Sequence, residues 1–313
     1  MILCVAGNPS IDKLFEVERV TPGRIHRPLA FLQVAGGKGL NVARAAAALG
    51  AEVVATGLLA GHAGRWVDEA LASEGVRGRF VWCAGETRDS LSVADRETAS
   101  LTEFYEAGMP VGPDDWRALQ AEVEAVLPGA SWITMSGSLL PGAPHGGYVD
   151  LIRAAGAAGV RSAVDAHGPQ LEAAIGASPE LVKINRDEAG ALLGATVVGH
   201  EAAAEAALAL RRKVGGGGHA AAVMLGPDGA VLAGPDGLVW RGTVEGHGPY
   251  PVGSGDAFLA GLAVALERDE GWPRALALAL GAASANAEVP GAGRLDPARA
   301  RALAAAADVL PLA

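Results

Sequence analysis

The segment Gly253-Ser254-Gly255-Asp256 sets a carboxylate directly behind a glycine-rich turn, at the mouth of an apolar helical stretch. Glycines let backbone N–H groups converge, and a helix N-terminus adds its positive end. Together they make a hole for an anion, which stabilises charge that grows during group transfer. A carboxylate at the rim of that hole can take the proton of an attacking alcohol. Asp256 is therefore a candidate general base, with Gly253, Ser254 and Gly255 as candidate anion-hole residues. The same residues also suit a tight glycine turn with an aspartate capping its helix.

Other polar clusters follow apolar runs in the same way. Gly36-Gly37-Lys38-Gly39-Leu40-Asn41 puts a lysine at a helix entry. It lacks the GxxxxGK[ST] spacing of a P-loop. Lys38 and Asn41 are placed to face a polyol or its phosphate, or the lysine is simply solvated. Asp12, after the first apolar run, offers a carboxylate to sugar hydroxyls or caps a turn. Asn185 and Glu188 stand at i,i+3 and bring oxygens suited to magnesium, directly or through water. The same spacing also makes a capping box. Ser136 and Ser138 offer hydroxyls to a phosphate, with no G-x-S-x-G elbow to make either a hydrolase nucleophile. Arg88 is a candidate phosphate clamp or a surface arginine. The seven histidines show no metal-binding spacing.

These residues need elements to hold them. Short apolar runs at Ile2–Ala6, Val53–Leu59, Trp132–Ser136, Arg161–Asp165, Leu181–Ile184, Ala220–Leu225, Ala230–Ala233 and Val239–Glu245 predict strands. Helical patterns at Leu40–Leu49, Gly64–Glu74, Asp114–Leu127, Tyr148–Ala158, Leu171–Ile175, Glu201–Arg212, Asp256–Glu267, Trp272–Asn286 and Pro297–Ala307 fall between or after them. That alternation predicts a doubly wound α/β sheet with helices on both faces. Two stretches break the rhythm. Leu14–Ala35, with a turn at Pro22-Gly23, and Thr87–Tyr105, with a turn near Asp95–Thr98, alternate like hairpins. They predict one small β-sheet projecting as a lid from residues 12–35 and 87–105. The main domain then comprises 1–11, 36–86 and 106–313. The Gly215–Gly218 run predicts a surface loop or helix stop. Ligands in such sheets bind beyond the carboxyl ends of the strands, where most of the candidate residues lie.

Composition sets the outer bounds. The chain has 313 residues, 50% apolar, enough for a substantial core. A formal charge of −10 argues against nucleic-acid binding, which needs a basic footprint. Small anions remain possible ligands. Cys4 and Cys83 form no metal or disulfide pattern and predict buried small hydrophobes. No apolar run reads as a signal peptide or membrane span, so a cytoplasmic location is the default expectation.

Taken together, the segments resemble the ribokinase-like (PfkB) carbohydrate kinase family, closest to its 1-phosphofructokinase and tagatose-6-phosphate kinase branch. The carriers are NPSID at 8–12, GGKGLNVARAAAALG at 36–50, TEFYEAG at 102–108, SGSLLPG at 136–142, KINRDE at 183–188 and PVGSGDAFLAG at 251–261. Their order matches, and they extend over almost the whole chain. Ser10, Ile184, Met224 and Ser254 depart from the residues usual in the family; none of these changes removes a carboxylate.

The resemblance implies an enzyme that uses ATP and Mg2+ to phosphorylate a small sugar phosphate, fructose 1-phosphate first. Tagatose 6-phosphate and fructose 6-phosphate are the nearest alternatives, and a non-enzymatic sugar-phosphate sensor is the other class. It implies Asp256 as base, with the anion hole at 253–255. Asn185 and Glu188 would organise magnesium through water. Asp12, Gly37, Lys38 and Asn41 would bind the sugar, with Arg88, Ser136 and Ser138 around its phosphate. Nucleotide contacts are implied for Lys183, Asn185, Gly226, Gly229, Gly253, Gly255 and Asn286. The exposed edges of the lid leave room for a homodimer.

Overall fold

The computed structural model describes residues 1–246 and 248–312. β1 (Ile2–Ala6) opens the chain, and β2 (Ser10–Val17) and β3 (Ala30–Gly36) leave the main body. α1 (Lys38–Ala48), β4 (Val53–Ala60) and α2 (Gly61–Ser73) return to it, followed by the short strands β5 (Arg77–Gly78) and β6 (Val81–Cys83). β7 (Arg88–Asp95) and β8 (Ser100–Tyr105) form the second excursion. The alternation then resumes with α3 (Pro113–Val126), β9 (Trp132–Ser136), α4 (Gly147–Ala157), β10 (Arg161–Asp165), α5 (Gly168–Ile175) and β11 (Leu181–Asn185). After α6 (Arg186–Leu193) and α7 (Gly199–Val214) come β12 (Ala220–Met224), β13 (Ala230–Ala233) and β14 (Val239–Thr243). The chain closes with α8 (Ser254–Glu267), α9 (Trp272–Ala287), α10 (Pro297–Ala306) and β15 (Asp308–Leu312).

The large sheet runs β15-β14-β13-β12-β11-β10-β9-β1-β4-β5, with β6 also beside β4. From β12 to β4 the neighbours are parallel; β13, β14 and β15 add on antiparallel. Alternate residues of one strand serve opposite layers. Ile2 and Cys4 join the core under α1, α8 and α9, whereas Leu3 and Val5 join the core under α3, α4 and α7. Both faces are covered, which is why β1 is buried throughout. The chain steps from β1 to β4 on one side and later to β9 on the other. The strand order therefore reverses at β1, and a crevice opens beyond the carboxyl ends there.

The excursions do form one small sheet, in the order β3-β2-β7-β8. Its central pair, β2 and β7, is parallel, so the two hairpins meet side by side with Ser10 opposite Arg88. The Pro22-Gly23 turn is present, closed by Arg24 N–H donating to Thr21 O at 3.2 Å. It sits within a broad connection between β2 and β3. Three strands were not expected from the pattern. β5 and β6 are too short to show a period. β15 contains Pro311, which is tolerated because the strand lies at the sheet edge. Cys4 is fully buried, as expected, and burial pushes its thiol up to about 12; Cys83 is only half-buried. The Gly215–Gly218 run stops α7.

Candidate active site

Asp256 lies in the first turn of α8, only 5% exposed. The turn that aims it depends on Gly253, whose backbone is left-handed at φ 85°; a Cβ there would meet Ala292 Cα at 2.6 Å. Ser254 N–H donates to Pro251 O at 3.1 Å. The N–H groups of Gly253 and Gly255 have no acceptor among the described residues, so these two are the open donors of the turn. Asp256 Oδ2 accepts a 2.8 Å hydrogen bond from Asn41 Nδ2. Burial, and then the charge of Asp165, push the Asp256 carboxyl up to about 6, although Lys38, Lys183 and the Asn41 bond pull the other way.

Asp165 is the residue that sequence reasoning passed over. It ends β10 fully buried and joins two lysines: Lys38 Nζ donates to Oδ1 at 3.2 Å and Lys183 Nζ to Oδ2 at 2.7 Å. Burial alone would raise its carboxyl, yet Lys183 and Lys38 hold it below the ordinary value. Lys38 in turn is raised, first by Asp165, with burial opposing. Two cations and two carboxylates thus meet at the floor of one cleft, with Asp165, Lys183 and Asp256 buried and Lys38 partly exposed, and burial strengthens the charge effects between the buried groups. The available signal was an acid at the carboxyl end of a predicted strand; nothing nearby in sequence showed its partners.

The mouth of α1 gathers the proposed sugar ligands. Gly37 is left-handed at φ 90°. Its N–H points at Asp12 Oδ2 at 3.4 Å, while Ser10 Oγ donates to Asp12 Oδ1 at 2.6 Å. Arg88 enters from β7. Its Nε donates to Asn8 Oδ1 at 2.8 Å and its Nη1 to Ser90 Oγ at 2.7 Å, with further bonds to Asn8 O and Glu106 O. The guanidinium is therefore held in place, with most of its donors already used, and burial lowers its pKa.

Asn185 and Glu188 form the capping box of α6. Asn185 Oδ1 accepts from the N–H groups of Asp187 and Glu188 at 2.9 and 2.8 Å, and Glu188 Oε2 accepts from Asn185 N–H at 2.8 Å. Both residues nonetheless line the cleft. Asn185 keeps its Nδ2 donors and Glu188 its Oε1 free of the box. Gly226 and Gly229 bound the turn between β12 and β13.

One cleft of about 540 Å³ is lined by Asp12, Gly37, Lys38, Asn41, Arg88, Lys183, Asn185, Glu188, Gly226, Gly229 and the whole 253–256 turn. Ser136, Ser138 and Asn286 are not among its lining residues. Ser136 Oγ is buried without a partner among the described residues, and the Ser138 carbonyl lies against Gly7. Asn286 is fully buried, donating to Val252 O at 3.0 Å and accepting from Gly293 N–H at 2.8 Å. It braces the 252–254 turn from behind.

The donor set bears on the metal. Among the described residues no group of three His, Cys, Asp or Glu side chains could hold an ion. Glu188 Oε1 fits a magnesium that keeps its waters and sits on phosphate oxygens, the usual habit of that ion. Asn185 presents N–H groups and fits the phosphates better than the metal, because its oxygen already serves the helix.

Known proteins resemble the chain along most of its length. The model of the pfkB family carbohydrate kinases matches residues 3–299. The chain is 34% identical over 273 residues to a 1-phosphofructokinase of Xanthomonas campestris pv. campestris, spanning 85% of this chain and 84% of that one. It is 33% identical over 262 residues to the 1-phosphofructokinase of Rhodobacter capsulatus, spanning 83% and 82%. The crystal structure of Escherichia coli phosphofructokinase-2 in complex with substrates and products superposes with a TM-score of 0.87 at 27% identity, over 97% of each chain. With a family model matching residues 3–299 and relatives more than 30% identical over most of its length, the chain belongs to the pfkB family of carbohydrate kinases.

Proposed function

We propose that this carbohydrate kinase transfers the γ-phosphoryl group of ATP to a hexose phosphate, with fructose 1-phosphate as substrate and fructose 1,6-bisphosphate as product. The observation that carries the reading is the single cleft in which Asp256 and its anion-hole turn share space with the held cation Arg88. A proton acceptor, a phosphoryl site and a second anion site are what the reaction needs. Both 1-phosphofructokinases compared above, at 34% and 33% identity, favour that sugar over tagatose 6-phosphate or fructose 6-phosphate.

Asp256 takes the proton from the sugar hydroxyl; burial raises its carboxyl to about 6, which makes it a stronger base than an ordinary aspartate. Gly253 and Gly255 turn their free N–H groups toward the moving phosphoryl group. Lys38 and Lys183 supply positive charge from the Asp165 side. Asp12 and Asn41 orient the sugar, and Arg88 attracts its phosphate. Asn185 donates to the nucleotide phosphates, with Gly226 and Gly229 lining the nucleotide end. Glu188 would hold magnesium through its waters, and the bound ion would supply charge neutralisation on the phosphates.

The small sheet, built from residues 12–35 and 87–105 as a unit separate from the main domain, acts as a lid that excludes water. Its face turned from the cleft carries Phe15 packed on Phe31 at 5.4 Å, with Phe31 56% and Phe104 61% exposed. A second copy covering this apolar face makes a homodimer, to be tested by light scattering of the native protein against Phe104→Glu.

The substrate reading is tested by ADP release with fructose 1-phosphate, fructose 6-phosphate, tagatose 6-phosphate and unphosphorylated fructose. The highest kcat/KM is expected with fructose 1-phosphate. Turnover with none of them rejects the kinase reading in favour of a sugar-phosphate sensor.

A further inference from the structure

Arg44 lies within the GGKGLNVARAAAALG segment but does not line the cleft, and it is a charged side chain only 4% exposed in the middle of α1. Its guanidinium reaches in four directions. Nε donates to Glu74 Oε2 at 2.6 Å, forming an ion pair with the C-terminal end of α2. Nη1 donates to Asn41 Oδ1 at 3.2 Å and to Ala292 O at 2.9 Å. Nη2 donates to Ala35 O, the carbonyl just before Gly36-Gly37.

Three of these contacts bear on the reacting end of the cleft. Ala35 is near the end of β3, where the small sheet joins α1. Ala292 is the residue against which Gly253 packs. Asn41 is the donor to Asp256. The Asn41 contact also has a sign. A guanidinium has only donors, so Asn41 must turn its oxygen toward Arg44. Its amide nitrogen is then left for Asp256. With the amide reversed, an oxygen would face the carboxylate.

We propose that Arg44 is a positioning residue: it fixes the Asn41 amide so that Nδ2 holds the ionised Asp256, and it ties that pair to the small-sheet junction and to the loop behind Gly253. Arg44 does not touch the reacting atoms. It acts on the base through Asn41, and the inference rests on Asp256 being the base. The other charged groups facing Asp256 are Lys38 from α1, Asp165 from β10 and Lys183 from β11. None of them contacts Arg44 by a hydrogen bond or ion pair among the described residues, so a change at Arg44 reaches Asp256 through Asn41 or through the Ala292 loop behind Gly253, and the Asn41→Leu background separates the two.

The test is the pH profile of kcat at saturating fructose 1-phosphate and ATP. Arg44→Lys keeps the charge and the Glu74 partner but cannot fork to Asn41 and both carbonyls. It is expected to move the acidic limb upward by about 1 pH unit, the size of a lost hydrogen bond to a charged group. In an Asn41→Leu background the same change is expected to move the limb no further, because the two residues act in series. Lower thermal stability with the limb at its native position overturns the proposal and leaves Arg44 a packing residue. If Arg44→Lys does not fold, Glu74→Gln serves. Its site is partly exposed, and it loosens the guanidinium without removing it. A smaller upward shift supports the proposal, and an unmoved limb overturns it. Failure of the base assignment is read separately, from Asp256→Asn retaining native turnover.

Discussion

Asn41 Nδ2 donates a 2.8 Å hydrogen bond to Asp256 Oδ2 across a sequence separation of 215 residues. One end of the bond belongs to the glycine-lysine entry of α1 and the other to the glycine turn of α8. The two signature segments are thereby joined at the proposed proton acceptor. The bond favours the ionised form of Asp256, against burial and the Asp165 charge that favour the neutral form.

Asp256→Asn is expected to lower kcat by roughly 10²–10⁴-fold, the usual worth of a general base, while both substrates still bind. Stability should move the other way. The Asp256 carboxyl is raised from 3.8 to about 6, so the folded state binds more protons than the unfolded state between those values. Stability therefore falls as pH rises through that window, and the amide removes the penalty. A higher melting temperature above pH 6 together with lost turnover is the expected pair. Near-native kcat would reject Asp256 as base.

The pH dependence of kcat/KM should show an acidic limb near 6, with activity lost as Asp256 is protonated. A sugar phosphate has its own ionisation at about 6. Asn41→Leu separates the two. It removes a bond to the charged form, so a limb belonging to Asp256 moves to higher pH. A limb that stays in place belongs to the substrate.

Asp165→Asn leaves Lys38 and Lys183 facing each other without their shared counter-ion. Breaking a buried pair in this way costs about 3–5 kcal/mol. Because the Asp165 pKa is held below its ordinary value, its contribution is present at neutral pH and disappears in acid, as pH falls through the folded value. The melting-temperature difference between native and variant protein should therefore be large at pH 7 and narrow as pH falls below the ordinary carboxylate range. A difference independent of pH would count against the ion-pair account.

Gly255→Ala would place a Cβ 2.8 Å from Lys183 Nζ, which is itself pinned to Asp165 at 2.7 Å. The lysine cannot swing aside without breaking that pair. KM for ATP should rise by about tenfold or more, with a smaller change in KM for the sugar. Equal changes in both would place Gly255 away from the nucleotide.

Arg88→Ala should raise KM for fructose 1-phosphate by roughly tenfold or more through loss of a charge-assisted contact. Activity toward unphosphorylated fructose, if measurable, should change little. An unaltered KM for the phosphorylated sugar would remove Arg88 from the substrate site.

Much of this was legible in order along the chain. Apolar runs with period-2 or period-3.6 patterns marked most strands and helices, because each buries one or both faces against a neighbour. The glycine turns were legible because their backbones need what only glycine adopts easily, as at Gly37 and Gly253. The short strands β5 and β6 and the proline-containing edge strand β15 were not, since their pairing carries no local period. Ser136, Ser138 and Asn286 carry motif residues yet lie outside the cleft lining. A motif marks a conformation as readily as a contact, and sequence does not say which way a side chain turns.

By itself the sequence determined the α/β alternation, the two interruptions that build the small sheet, the glycine turns and the carboxylate behind the last of them. These are local properties, set by residue size, backbone freedom and periodicity. Only the tertiary structure decided that Asp165 bridges Lys38 and Lys183, that Asn41 faces Asp256, and that Arg44 holds Asn41 in that orientation. Charge partners are chosen by proximity in a dry interior, and proximity between distant segments is written in no local stretch of the chain.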